Sequence, residues 1–114
     1  MKYVLLIHAD EALDTRLSPQ ETERWMGGYH GLTKQLKAAG AYIASQRLRP
    51  VASATTIRVR KGETLVSDGP FAETKAQLGG FYLINATDLD EAIAWAAKIP
   101  SAQHGSIEVR PVWE

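Results

Sequence analysis

The side chains with chemical potential in this chain are few and scattered. Histidines stand at positions 8, 30 and 104, and no two have the helix or turn spacing of a metal site, so no metal is expected. His8 closes an apolar run with Asp10 close behind. That pair suits a general base steered by a carboxylate, or more plainly an imidazole at a strand end. His30 follows Tyr29 on a helix, where a half-buried, hydrogen-bonded histidine would be ordinary, and His104 is given no role. The densest polar group is residues 66–75, VSDGPFAETK. Asp68-Gly69-Pro70 is a turn former: the carboxylate accepts a local backbone hydrogen bond, Gly supplies positive φ, and Pro fixes the next φ. Phe71 is expected to tuck beneath this turn. Glu73 and Lys75 have no such structural reason and stand, with Asp68, as the best-placed polar groups.

Other chemistries are excluded by what is missing. There is no GxSxG serine motif and no Walker loop, and Gly79-Gly80 has no helix after it to complete a phosphate cradle. Cysteine is absent, which removes disulfides, thiolate nucleophiles and Cys-ligated zinc or iron–sulfur centres. Thirteen basic and thirteen acidic residues cancel. Without a basic footprint, neither nucleic acid nor an anionic membrane is an expected partner. The N-terminal apolar run stops at His8, too short for a secretory signal or a membrane span, so a cytoplasmic protein is expected. With 114 residues, 45% apolar and 23% charged, the chain suits one globular domain over 1–114 that buries about two-thirds of its unfolded surface.

The elements that must position these groups follow from periodicity and punctuation. Residues 2–8 (KYVLLIH) read as a strand, followed by a polar connection, DEALDTRL. A helix starts at Ser18-Pro19-Gln20-Glu21, a capping box with Pro in the first turn, and runs to Ala39 with Gly40 as its stop. Its buried stripe is Trp25, Tyr29, Leu32, Leu36 and Ala39. Gly27, Gly28 and Gly31 weaken the middle, which suggests either close packing on a sheet or room for a ligand, the former being favoured. Residues 41–49 and 54–60 read as strands broken by Pro50, and Lys61-Gly62 as a hairpin turn into ETLVS. Residues 80–85 (GFYLIN) form a further strand. A second helix begins at Thr87 or Asp88 and ends at Pro100, and residues 105–113 close the chain as a strand.

The order β-α-β-β-(β)-β-α-β predicts an α+β, ferredoxin-like sandwich, an antiparallel sheet with two helices on one face. Both alternating sets of the strands KYVLLIH and GFYLIN are apolar, so the helix-free face is expected to be covered as well. A second copy, sheet against sheet, gives an isologous homodimer of dimeric α/β-barrel type. On the last strand Glu108 and Arg110 share one face and Ile107 and Val109 the other. Arg110 then serves the interface or pairs within the sheet face. Trp25, Trp95 and Trp113 are expected in core or interface, with a stacking role open for the first two.

The stretch VSDGPFAETKAQLGGFYLI, followed by DLDEAIAWAAKIP and a closing GSIEVRPV, resembles the DGPF branch of the YCII-related family over essentially the whole chain. The resemblance implies a ferredoxin-like fold, a dimer with face-to-face sheets, and a cleft between the sheet and the first helix, bordered by the DGPF loop. Members of the wider group look like small enzymes that use a His on the first helix and an Asp just after the second. One kind acts as a dehydrochlorinase on a chlorinated hydroquinone. Here Tyr29, with His30 beside it, stands at the helix position, and Ala96-Ala97-Lys98-Ile99-Pro100 supplies no Asp. DGPF proteins also resemble companions of extracytoplasmic-function sigma factors, which implies a regulatory or sensory partner.

Two functions follow as expectations. The first is a homodimer that binds a small ligand, or regulates through a sigma-factor-type partner, without a cofactor. Its ligand would meet Tyr29, His30, Arg47, Phe71, Glu73 and Lys75. The alternative is a cofactor-independent lyase or dehydrochlorinase-like enzyme, with His8 or Asp68 as acid/base and Arg47 or Lys75 holding an anionic substrate. That alternative requires His8 and Asp68 to converge on one pocket.

Overall fold

Strand β1 (Lys2–Ala9) buries Tyr3, Leu5 and Ile7 on one face and keeps Val4, Leu6 and His8 half-covered on the other, as a two-residue period dictates. The computed structural model describes residues 1–114, the side chain of Asp14 excepted. Helix α1 (Glu11–Asp14) follows, then α2 (Pro19–Ala38), β2 (Tyr42–Arg47), β3 (Thr55–Arg60), β4 (Glu63–Asp68), β5 (Gln77–Asn85), α3 (Leu89–Ala96) and β6 (Ser106–Pro111). The main sheet has the order β2-β5-β1-β6, every neighbour antiparallel. The result is an α+β structure consistent with a ferredoxin-like fold, β3 and β4 forming a separate two-stranded sheet. No helix is long and apolar enough to cross a membrane.

The helices share one side of the main sheet because they share its core. Leu32 and Leu36 of α2, Ala92 and Ala96 of α3, and Ile99 pack in one buried cluster with Tyr3, Leu5, Ile7, Tyr82 and Ile84. Helix α2 begins as its sequence requires: Ser18 Oγ accepts from the Glu21 N–H at 3.1 Å, and Glu21 accepts in return from the Ser18 N–H at 3.2 Å. Gly40, at φ 71°, ends it in the left-handed conformation that glycine favours.

Several expectations need correction. The connection DEALDTRL holds α1, whose N-cap is Asp10, the carboxylate accepting from the Ala12 N–H at 3.0 Å. Asp10 is therefore a cap, and four helical residues are too few to leave a periodic signal. Ala39 is exposed and not part of the buried stripe. Helix α3 stops at Ala96, and a 3-10 turn takes up Pro100–Gln103. Close packing on the sheet does not explain the helix glycines. A Cβ on Gly28 would come within 3.0 Å of Pro100 Cγ, whereas Gly27 and Gly31 face open space.

The β3–β4 hairpin stands apart from the core. Lys61 and Gly62 both have positive φ, 51° and 78°, as a tight two-residue hairpin turn requires. One face carries Ile57 opposite Val66, 62% and 64% exposed, with Val59 beside them. The radius of gyration, 16.0 Å, exceeds the roughly 13 Å of a compact chain of about 100 residues. At the root of the hairpin the Gly69 N–H donates to Ala54 O at 2.7 Å and Thr56 Oγ1 to Gly69 O at 2.8 Å, which fixes the DG turn. Phe71 is 79% exposed and does not tuck under that turn. Pairing of Asp68 with Thr55 and the bonds at Gly69 hold the turn without an aromatic anchor.

Candidate functional site

A cleft of about 600 Å³ opens between α2 and the helix-bearing face of the main sheet. Its position follows from packing: α2 buries Leu32 and Leu36 toward its C-terminal end, while Trp25 and Tyr29 toward its N-terminal end stay only half-buried and wall the space. Trp25 meets Tyr29 edge to face, ring centroids 5.0 Å apart at 78°, and Tyr29 lies nearly parallel to Tyr82 at 6.5 Å. Gly80 on β5 sits directly against β2, where a Cβ would lie 2.7 Å from Gln46 O. Any larger residue there would push the strands apart at the cleft floor.

Hydroxyl groups line the same cleft. Tyr29 Oη and Ser101 Oγ are 2.6 Å apart, and Ser101 is fully buried on the turn after α3. Thr33 Oγ1 donates to Tyr29 O at 3.0 Å and lies 2.9 Å from Tyr82 Oη. Burial pushes the Tyr82 phenol above its ordinary value, against the smaller opposing effect of the Thr33 hydrogen bond. The folded-state value therefore exceeds the unfolded one. The associated stability is complete below about pH 10 and is lost as pH rises through the folded value. Phenolate absorbance should show one tyrosine ionising late, together with unfolding, and Tyr82→Phe should remove that step. An unchanged alkaline profile in Tyr82→Phe would refute the assignment.

Arg47 leaves β2 at the cleft mouth with its guanidinium 5.6 Å from the centre of the Trp25 ring and 3.8 Å from Met26 Sδ. Among the described residues no carboxylate lies within ion-pair distance of it. Glu11 also lines the cleft. Its carboxylate accepts from the Val51 N–H at 3.0 and 3.3 Å, and its own N–H donates to Gln77 Oε1 at 3.1 Å. No group of three or more His, Asp or Glu suited to a metal gathers among the described residues.

The residues singled out in the sequence divide between three places. Tyr29, His30 and Arg47 line the cleft, His30 at its exposed rim. Asp68, Phe71, Glu73 and Lys75 do not; all four are exposed on the hairpin end and the loop beyond it. His8 points to the helix-free side, opposite Ser106 on β6, with Nε2 3.5 Å from Glu108 Oε1 and no hydrogen-bond partner. His8 and Asp68 therefore do not converge, and the acid/base pair expected of them is not formed within the chain. The DGPF loop does not line the cleft either. Only Gln77 and the strand beyond it reach the lining, because β5 begins three residues earlier than its apolar run suggested.

Glu11, Thr33, Gln77, Tyr82 and Ser101 were not anticipated as site residues. The one local signal for any of them is the Asp10 cap, which places Glu11 at the start of a helix. The helix-free face carries the outward-pointing apolar set of β1 and β5. Val4, Leu6, Phe81 and Leu83 form its apolar centre, and Arg110 Nε lies 3.6 Å from Glu108 Oε2 at its side, a pair within the sheet face.

An antiparallel sheet with its helices on one side and an aromatic, hydroxyl-lined cleft beneath the first long helix defines a small α+β domain with a built-in pocket. The chain belongs to the YCII-related domain family, whose model matches residues 1–114. It is also similar to an uncharacterized protein of Rhizobium meliloti (strain 1021), 43% identical over 114 residues, covering 98% of this chain and 92% of that protein. Tyr29, which stands where the family resemblance expects a His, meets Ser101 on the turn after α3.

Proposed function

We propose that this chain is a small-ligand-binding homodimer of the DGPF branch, working in the cytoplasm. Each protomer takes a compact organic molecule into the cleft beneath α2, and the two protomers pair through their helix-free faces. The observation that carries the reading is the cleft itself. At about 600 Å³ it has the size of a small-molecule site, with apolar walls and a few convergent polar groups. Dimerisation is supported by the apolar centre of the open face and by the bare hairpin, since an isolated two-stranded hairpin is marginal in water. A sigma-factor-type protein would read the loaded state.

A second reading, cofactor-independent lyase or dehydrochlorinase-like chemistry, keeps one observation in its favour. Tyr29 and Ser101 form a short hydroxyl pair at the cleft wall, and His30 is at the rim as a proton acceptor.

A thermal-shift screen with neutral, anionic and cationic small molecules tests the ligand-binding reading. A ligand at 100 times its Kd should stabilise the fold by about 2.7 kcal/mol. The shift should vanish in Met26→Trp, which fills the cleft from α2. Failure of every chemical class at millimolar concentration would count against a ligand-binding protein.

A further inference from the structure

We infer that the cleft recognises an aromatic monocarboxylate, a planar ring bearing one carboxylate and a polar substituent; the inference rests on the ligand-binding reading above. The charge pattern sets the first requirement. Arg47 is the one Lys or Arg side chain in the lining, and among the described residues it has no carboxylate partner. Its guanidinium is held only by the Trp25 ring at 5.6 Å and by Met26 Sδ at 3.8 Å, contacts that leave hydrogen-bond donors free. A planar five-donor fork with no anion matches a carboxylate in a bidentate geometry. One cation calls for one negative charge. The Glu11 carboxylate, held by the Val51 N–H in the same lining, works against a dianion or a phosphate ester.

The walls set the second requirement. Trp25, Tyr29 and Tyr82 give the lining its aromatic character, and flat rings stack or pack edge to face on such surfaces better than flexible chains do. The floor sets the third. The hydroxyls of Tyr29, Ser101, Thr33 and Tyr82 line the floor, where a phenol or comparable polar group finds hydrogen-bond partners and a bare hydrocarbon end finds none to use. The 600 Å³ cleft accommodates one or two rings.

The experiment compares 4-hydroxybenzoate with 4-hydroxybenzamide, which has the same shape without the charge, and with cyclohexanecarboxylate and succinate. Affinities are read by calorimetry and by tryptophan fluorescence on the full chain. The expected result is that 4-hydroxybenzoate binds at least tenfold more tightly than each of the other three. Arg47→Gln should abolish the preference over the amide, and Arg47→Lys, which keeps the charge but loses the fork, should retain only part of it. Equal affinity for acid and amide, or a preference that survives Arg47→Gln, overturns the inference. A screen that yields only neutral, cationic or dianionic ligands, displaced by Met26→Trp, overturns the ligand class but upholds the cleft. No binder of any class brings down both.

Discussion

Replacing Leu36 by Ala should lower the stability of the fold by about 2–5 kcal/mol, the range for a leucine removed from a packed core. Leu36 is 0% exposed and sits one turn beyond Leu32, where α2 meets the sheet and the core residues Leu5 and Ile84. Truncation removes favourable burial and leaves a cavity that helix and sheet cannot both close, because the capping box and Gly40 fix the two ends of α2. For a chain of this length the loss corresponds to a melting temperature lower by on the order of 10–20 °C. Ile93→Ala, on the exposed side of α3, is the control and should cost well under half as much. Calorimetry or circular dichroism decides the matter, and equal costs for the two substitutions would show that the core is not centred where these contacts put it.

Leu83→Asp should convert the proposed dimer to a monomer. Leu83 lies on central strand β5, paired with Val4 on one side and Ala44 on the other, at the middle of the helix-free face. In a face-to-face arrangement the substitution buries two like charges near the two-fold axis. Unpaired buried carboxylates cost several kcal/mol, and each 1.4 kcal/mol weakens association tenfold, so a loss of at least about 100-fold is expected. In the separated protomer the same side chain faces water and the fold should persist. Light scattering on wild type and variant at micromolar concentration, with circular dichroism as the check on folding, gives the answer. A monomeric wild type, or a variant that remains dimeric, rules out pairing through this face.

The two substitutions probe opposite faces of one sheet, and the sequence separated those faces only in part. Alternation in KYVLLIH and GFYLIN identified both sets as apolar, but which set meets the helices was settled by packing: Tyr3, Leu5 and Ile7 went under α2 and α3, while Val4 and Leu6 stayed outside. Where a signal is local, it was legible. Ser18 with Glu21 and Lys61-Gly62 each act within four residues and do in the structure what their spacing implies. Of the capping box expected of Asp88 and Glu91 only the Asp88 cap forms, the Glu91 carboxylate binding Thr87 instead. Helix α1 was missed because one turn has no period to detect. Phe71 was misplaced because backbone bonds at Gly69, rather than a buried ring, hold its turn.

The sequence by itself determined the family, the α+β class, the order of the main elements and the absence of cysteine chemistry. The tertiary structure alone decided which polar groups meet. Tyr29 and Ser101 are 72 residues apart in the chain and 2.6 Å apart in the fold, and Glu11 reaches Val51 across 40 residues. His8 and Asp68, which the sequence made equally eligible, are carried to different parts of the molecule by the pleat of β1 and the reach of the hairpin. Capping, turns and periodicity are properties of neighbouring residues and can be read along the chain. A cleft is made by segments that become neighbours only when the core between them has packed.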